Sequence, residues 1–363
     1  MTDLEIHTLV CKRDMPMALN NFKSLQKFEE FSGVPVFLHD DGSLDELDRE
    51  ILSEIGNASV IGRDYADSEI RKHIGDYPNC MSYRLGKGDI NLWHKIKLFD
   101  YIFFSKTKKI LGMDADLLFM KKPHDAIEKI RSGTPFYFPD CQSSYCFNEP
   151  KNEIGVPPKV NTGLIFIPSE ENYDIESIEF ALKNLVGKGV NYFPSWIEQS
   201  AFAHMFFNDG GYVSLDEERY RIPYFQDVNV SVAECLHFVS YPAVRDTYQS
   251  YLDRLEISFG RLVYYKEFLV DFMGQRIPLK VKVLERPGLL GFEFAWCLDK
   301  TTQAFLDHSF RINFGDKETE HHFQSHKNGF FVEKSEQKKF DILHSYDWYG
   351  EKNWVKLDEV NIV

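Results

Sequence analysis

The chain has no long apolar run, no excess of basic residues and no paired cysteines. None of its apolar stretches approaches the roughly 20 residues of a membrane-spanning helix. The opening MTDLEIHTLVCKRD lacks the basic head, apolar stretch and cleavage site that predict a secretory signal. The 363 residues include 42 Lys and Arg against 56 Asp and Glu, a formal charge of −14. This acidic balance disfavours nucleic acid as a partner, because phosphate backbones are bound by basic surfaces.

The cysteines are too far apart for the common metal and redox motifs. There are six, at positions 11, 80, 141, 146, 235 and 297. No two of them have C-x-x-C spacing, which argues against a zinc site or a dithiol. We therefore expect reduced thiols and a cytoplasmic protein.

Aromatic residues are abundant, at 15% of the chain with 31 Phe, which is enough for a large core. Over residues 1–254, short apolar runs alternate with amphipathic helical patterns, such as the three-residue spacing of Leu19, Phe22 and Leu25 before Gly33. This alternation predicts an α/β domain, with a mostly parallel sheet and helices on both faces. Residues 255–363 consist of short aromatic and β-branched runs, which predict a separate β-rich accessory domain.

Two acidic clusters follow predicted strands. The run KKILGMDADLLF contains Asp114 and Asp116, which share one face if the strand continues through them. Such carboxylates repel each other unless a cation lies between them, and Mg²⁺ or Mn²⁺ prefers oxygen ligands. The alternative is that strand-end aspartates only accept backbone hydrogen bonds. Asp41, in HDDGS, follows an earlier strand, and we expect both clusters to face one crevice at the carboxyl ends of the strands.

Three further motifs follow the Asp-x-Asp strand in order, namely VNTGLIFI, WIEQSAF and LHFVS. Together the four motifs resemble those of GT-A glycosyltransferases, in particular the glycogenin and bacterial lipopolysaccharide galactosyltransferase group, which is family eight-like. The resemblance extends over roughly residues 4–250. It implies a Rossmann-like GT-A fold and transfer of a hexose from a nucleotide-diphosphate sugar, with UDP favoured, to a hydroxyl acceptor. The acceptor would be a glycan, a lipid-linked sugar or a protein, and retention is favoured over inversion.

The resemblance also implies roles for individual residues. Asp114, Asp116 and His237 would hold Mn²⁺ or Mg²⁺, and Glu198 and Gln199 would lie at the reacting carbon of the sugar. The donor contacts would be Thr8 at the base, Asp41 at the nucleotide, Lys97 at the phosphates with Lys95 as the alternative, and Asn161, Thr162 and Gly163 around the sugar.

Structural roles compete with several of these assignments. His237 lies in the apolar run CLHFV, as a core histidine would, and Lys97 lies on an amphipathic helix, where a lysine is commonly solvated. Glu198 is spaced from Ser195 as in a capping box. After His237 the chain lacks the Gly-x-x-Lys-Pro-Trp continuation of the resembling families, and Arg245 is a candidate for the missing lysine.

Three other functions remain open. An Asp-x-Asp phosphatase would want threonine or valine where this chain has Leu118. A sugar nucleotidyltransferase would want a glycine-rich phosphate loop, whereas VCKRDMPMA contains no glycine. A non-catalytic scaffold that binds nucleotide-sugars is the third alternative.

Overall fold

The computed structural model describes most of the chain. The described residues are 3–86, 94–147, 154–186, 194–209, 211–224, 228–239, 244, 247–255, 261–272, 275–286, 289–296, 308–315, 318–323, 327–333, 339–348, 351–352 and 354–361. They form two compact units, Met1–Val239 and Ser240–Val363. The expected domain boundary at residues 254 and 255 stays a prediction.

The first unit contains ten described strands. They are β1 (Glu5–Val10), β2 (Val36–Asp40), β3 (Ala58–Ile61), β4 (Ile110–Asp114), β5 (Leu117–Phe119), β6 (Phe136–Pro139), β7 (Val160–Ile167), β8 (Val213–Ser214), β9 (Tyr220–Arg221) and β10 (Cys235–His237). Seven of them form one sheet in the order β3-β2-β1-β4-β7-β6-β8. Every neighbouring pair in it is parallel except the two pairs that β7 makes. The other three form a small sheet in the order β5-β10-β9.

Helices connect these strands. They are α1 (Met15–Gln26), α2 (Glu29–Ser32), α3 (Glu46–Leu52), α4 (Arg63–Ile74), α5 (Pro78–Leu85), α6 (His94–Phe104), α7 (His124–Ser132), α8 (Ile175–Phe180) and α9 (Ile197–Asp209). α6 and α9 pack on each other and on the sheet, α6 against β4 and α9 against β7. All eight residues of β7 are buried, and Phe99, Ile165 and Phe202 belong to the core at this junction. The predicted α/β architecture is confirmed.

The second unit is β-rich, as the sequence predicts. It contains α10 (Tyr248–Arg254) and the strands β11 (Arg261–Phe272), β12 (Gln275–Arg286), β13 (Leu289–Trp296), β14 (His308–Asn313), β15 (Glu318–Phe323), β16 (Lys327–Glu333), β17 (Lys339–Trp348), β18 (Glu351–Lys352) and β19 (Val355–Asn361). All the strand pairings within it are antiparallel. Its core includes Phe292, Phe310 and Phe340.

Local sequence patterns predicted some of the helix ends correctly and others wrongly. α7 begins after Pro123 and ends at Gly133, whose φ of 72° is the left-handed conformation that glycine adopts easily. The single helix predicted to end at Gly33 is instead α1 followed by the short α2. The capping box of α3 is made by Asp45 and Asp48, whereas the spacing of Ser43 and Glu46 predicts one two residues earlier.

No helix in the described part of the chain is long and apolar enough to cross a membrane. Each cysteine within the described residues is a free thiol, which agrees with the expected reduced state.

Candidate active site

The two aspartates lie in a turn between two sheets, and the prediction of one continuous strand through them is wrong. β4 ends at Asp114, which is in register with Leu9 of β1. The chain then turns, and β5 pairs antiparallel with β10 in the small sheet. In this pairing Leu117 is in register with His237. The backbone N–H of Phe238 also donates to the carbonyl of Asp116 at 2.9 Å. This pairing, and not strand alternation, brings His237 to both aspartates.

The three side chains form a compact cluster that fits one small cation. Nε2 of His237 lies 3.1 Å from Oδ1 of Asp116 and 3.5 Å from Oδ2 of Asp114. One ligand atom from each of the three residues falls within 4.8 Å of the others. Adjacent ligands of an octahedral ion with bonds near 2.1 Å are separated by about 3 Å, so the observed spacing suits Mg²⁺ or Mn²⁺. The residues present therefore fit the expected metal.

Electrostatics ties the imidazole to the carboxylates. Burial opposes the charged imidazole, but Asp116 and Asp114 outweigh it and raise the pKa of His237 to about 9. For Asp114, burial would raise the pKa, but Lys97 and His237 lower it below its usual range. A cation that coordinates Nε2 would displace the imidazole proton, as metals do at histidine ligands.

Lys97, on α6, is buried beneath the cluster with only 2% of its side chain exposed. Its ammonium lies 2.9 Å from Oδ1 of Asp114 and 3.4 Å from Oε1 of Glu198. It also donates to the hydroxyl of Thr162 at 3.0 Å. The two carboxylates raise its pKa against the effect of burial, so it is charged. The predicted phosphate contact stays a prediction; in this structure the ammonium contacts groups of the protein itself.

Glu198 lies in the first turn of α9 and is almost completely buried. Its Oε2 accepts a hydrogen bond from the hydroxyl of Thr162 at 3.1 Å. Burial raises the pKa of Glu198 to about 7, although Lys97 acts in the opposite direction. Its carboxylate therefore changes charge in the neutral pH range. These contacts join Glu198 to Asp114 through Lys97.

Asn161, Thr162 and Gly163 follow Val160 near the start of β7, beside this group. The side-chain oxygen of Asn161 accepts from the backbone N–H of Gly163 at 2.8 Å. Gly163 itself lies against the ring of His237, where an added Cβ would be 2.3 Å from Cε1. The three residues line the cluster from the β7 side.

Gln199 points to a different part of the site from Glu198. Its amide nitrogen donates to the carbonyl of Ser144 at 2.8 Å and reaches Oδ2 of Asp140 at 3.5 Å. Asp140 is buried and directly follows β6. Sequence reasoning missed it, although TPFYFPD is a third strand that is followed by an acidic residue.

Thr8 lies within β1, and Asp41 directly follows β2. Thr8 is fully buried within β1, in register with Leu38 and Met113. The carboxylate of Asp41 accepts from the backbone N–H and the hydroxyl of Ser43. Burial raises its pKa. Their predicted nucleotide contacts stay predictions, and Arg245 lies outside the described residues.

Two basic residues near the cluster were also missed. Arg13 follows β1 and forms an ion pair with Asp14 at 2.7 Å, and the carboxylates of Asp14 and Asp116 raise its pKa. Its side chain is 40% exposed. His94 begins α6, and burial lowers its pKa, with Lys97 acting in the same direction and Asp114 against it. The mixed apolar and charged pattern around these residues gave no signal of their proximity to Asp116.

The chain was compared with known proteins. No family model matches it, and no curated protein matches it. Solved structures that resemble it include mouse xyloside xylosyltransferase 1, with 14% identity, a TM-score of 0.41, and 65% of this chain and 98% of that chain covered. Another is the galactosyltransferase LgtC with donor and acceptor sugar analogs, with 13% identity, a TM-score of 0.42, and 70% and 97% covered. A third is glucosyl-3-phosphoglycerate synthase from Mycobacterium tuberculosis with Mn²⁺ and UDP, with 12% identity, a TM-score of 0.36, and 73% and 84% covered.

Proposed function

We propose that the protein is a metal-dependent glycosyltransferase of the GT-A type. It would transfer a hexose from a nucleotide-diphosphate sugar, with UDP favoured, to a hydroxyl on a glycan, a lipid-linked sugar or a protein. The observation that carries the proposal is the convergence of Asp114, Asp116 and His237 within 4.8 Å of one another. The cluster lies at the carboxyl end of a parallel strand, which is the edge where α/β sheets bind ligands.

The chain's own residues divide the work of such a reaction. Asp114, Asp116 and His237 would hold the divalent ion, which when bound neutralises charge on the diphosphate and on the departing nucleotide. Lys97 keeps Asp114 ionised and fixes one of its oxygens, so that the other oxygen faces His237. The ligand set is thereby held in place before the donor arrives, which limits the reorganisation needed for the reaction.

Glu198 and Gln199 would act at the sugar. With a pKa of about 7, Glu198 exists in both charge states near neutral pH, and its ionised form would stabilise positive charge at the anomeric carbon. Gln199 joins this helix turn to the segment that follows β6 through Ser144 and Asp140. In this proposal the segment that follows β6 forms the acceptor side of the site. We expect the anomeric configuration of the sugar to be retained.

Binding of the donor can be tested without knowing the acceptor. Thermal unfolding is followed with UDP, GDP and their hexose conjugates, each with and without Mn²⁺. A ligand at about a hundred times its dissociation constant adds about 2.7 kcal/mol of stability, which is a shift of several degrees. We expect one nucleoside diphosphate, or its hexose conjugate, to stabilise the protein only when Mn²⁺ is present. Asp116→Asn should abolish this stabilisation.

Asp64→Asn is the matched control for that variant. Asp64 is an exposed carboxylate in the first turn of α4, and the same isosteric change there should leave the shift intact. If no nucleotide stabilises the wild-type protein with or without Mn²⁺, the proposal fails. The phosphatase alternative then predicts metal-dependent hydrolysis of simple phosphate esters instead.

Transfer is tested with the responding donor and a panel of sugar acceptors, with mass spectrometry to detect the product and nuclear magnetic resonance to assign its anomeric configuration. A chelator should stop the reaction, and added Mn²⁺ should restore it. Product formed equally well by the Asp114→Asn and Asp116→Asn variants under chelator would refute the mechanism.

A further inference from the structure

Gly163 occupies a position where the fold has no room for a side chain. An ideal Cβ there would lie 2.3 Å from Cε1 and 2.5 Å from Nδ1 of His237. Carbon atoms in contact are normally about 3.5 Å apart or more, so the imidazole would have to move by roughly 1 Å. The third neighbour, the side-chain oxygen of Asn161, would be 2.8 Å away.

The imidazole has little freedom to make that movement while it serves as a ligand. The ring also contacts Phe138 of β6 edge-on, with ring centroids 5.5 Å apart. Its backbone is fixed by the pairing of β10 with β5, and the residue is 97% buried. The ring is therefore confined between β6 and β7, with Nε2 directed at Asp116 and Asp114.

We propose that Gly163 is a positioning residue for the metal site, which acts by leaving open the space that the His237 ring occupies. This inference rests on the proposed metal-dependent function. It gives the Asn161-x-Gly163 sequence a role other than sugar contact. The side chain of Asn161 accepts from the N–H of Gly163 and so fixes the backbone on which the ring lies.

The size of the displacement sets the expected effect. Metal–ligand bonds in proteins stay within about 0.2 Å of their ideal lengths, and a ring that moves by about 1 Å is no longer a ligand. Gly163→Ala should then weaken Mn²⁺ binding by about tenfold or more, as the loss of groups that orient a ligand does. His237→Ala should weaken it by at least as much. The double variant should bind Mn²⁺ no more weakly than His237→Ala alone, because both changes remove the same ligand.

The experiment measures Mn²⁺ binding by electron paramagnetic resonance and the midpoint of thermal unfolding of the metal-free protein. Gly163→Ala should lower the midpoint in the wild-type background and lower it much less in the His237→Ala background, where the colliding ring is absent. Gly112→Ala is the matched control: on neighbouring β4, its Cβ would lie 2.9 Å from Ile165 and Tyr101. His237→Ala should not relieve that variant.

The outcomes separate this inference from the proposed function. If the wild-type protein binds Mn²⁺ and Gly163→Ala binds it equally well, the positioning role is refuted while the metal site stands. If Gly163→Ala fails to fold and His237→Ala does not restore folding, the role is also refuted. If the wild-type protein binds no Mn²⁺, both fail. Weaker Mn²⁺ binding together with recovery of the midpoint in the double variant supports the role.

Discussion

Lys97 is the cation on which the buried carboxylate of Glu198 and the partly exposed carboxylate of Asp114 depend, and Lys97→Met removes it while preserving most of the side-chain volume. In the variant, Oδ1 of Asp114 and Oε1 of Glu198 lose the ammonium that lies 2.9 and 3.4 Å from them. Removal of one partner from a buried ion pair costs about 3–5 kcal/mol, because the remaining charge is left without compensation. Against a total stability of about 5–15 kcal/mol, this is a large loss.

The loss should depend on pH in a definite direction. Burial already raises the pKa of Glu198 to about 7 in the presence of Lys97, and without the ammonium the pKa rises further. A carboxyl group whose folded pKa is raised stabilises the fold below its unfolded pKa, and that contribution is lost as pH rises through the folded pKa. The deficit of Lys97→Met relative to the wild-type protein should therefore be largest near pH 8 and should shrink toward about pH 5.

Urea unfolding at several pH values, followed by circular dichroism, measures this deficit. Lys95→Met is the matched control on the same helix, since within the described part of the chain that ammonium donates to the carbonyl of Gly86, at 3.3 Å, and to no carboxylate. The double variant Lys97→Met/Glu198→Gln should recover part of the stability, because one of the two unpaired charges is gone. If Lys97→Met costs no more than Lys95→Met, or if its deficit does not vary with pH, Lys97 does not compensate the carboxylates.

Three further expectations follow from individual contacts. Glu198→Gln should remove an inflection near pH 7 from the pH–rate profile of transfer, and an unchanged profile would exclude this carboxylate from the reaction. The Nδ2 of Asn21 donates to the carbonyl of Asp114 at 2.9 Å, and so supports the turn that carries the two aspartates. Asn21→Leu should therefore weaken Mn²⁺ binding in calorimetry and lower the free energy of unfolding by about 1–3 kcal/mol. Wild-type values of both would show that the turn needs no such support. Burial lowers the pKa of His7 and of His39, and Nδ1 of His7 lies 3.0 Å from Nε2 of His39, so stability should fall as pH drops below about 6.5 and the unfolded chain takes up protons. His39→Phe should flatten that fall in urea unfolding, and an equal fall in the variant would contradict the explanation.

The sequence predicted the kinds of element, and it singled out Asp114, Asp116 and His237, which converge in the structure, but it did not predict how these parts meet. Alternation of strand and helix patterns implies a covered parallel sheet whatever the side-chain details, and the structure has one. The apolar run that contains Asp114 and Asp116 continues on both sides, so a single strand was the natural prediction. Its first part pairs with β1 and its second part with β10, over a hundred residues later. Local periodicity carries no information about that change of partner.

Lys97 shows a second limit of the sequence. On an amphipathic helix a lysine is commonly solvated, and its burial costs free energy unless carboxylates surround it. Those carboxylates come from β4 and α9, which are 17 and 101 residues further along the chain. Only the packing of α6 and α9 on the sheet places the three groups together. The same holds for Asp140, which reaches the site through Gln199.

The negative charge of the three carboxylates at the site matches the summed positive charge of one buried lysine and one divalent ion. Lys97 contacts both Asp114 and Glu198, and each of the two oxygens of Asp114 has its own partner, Lys97 for Oδ1 and His237 for Oδ2. With Asp114, Asp116 and Glu198 ionised and His237 neutral, as a metal ligand is, the three carboxylates exceed the single ammonium by two charges. A bound divalent ion cancels that excess, whereas a monovalent ion or a second lysine would leave part of it buried. Protonation of Glu198, with a pKa of about 7, reduces the excess to one. The electrostatic attraction between the site and a divalent ion should consequently strengthen as pH rises through this range.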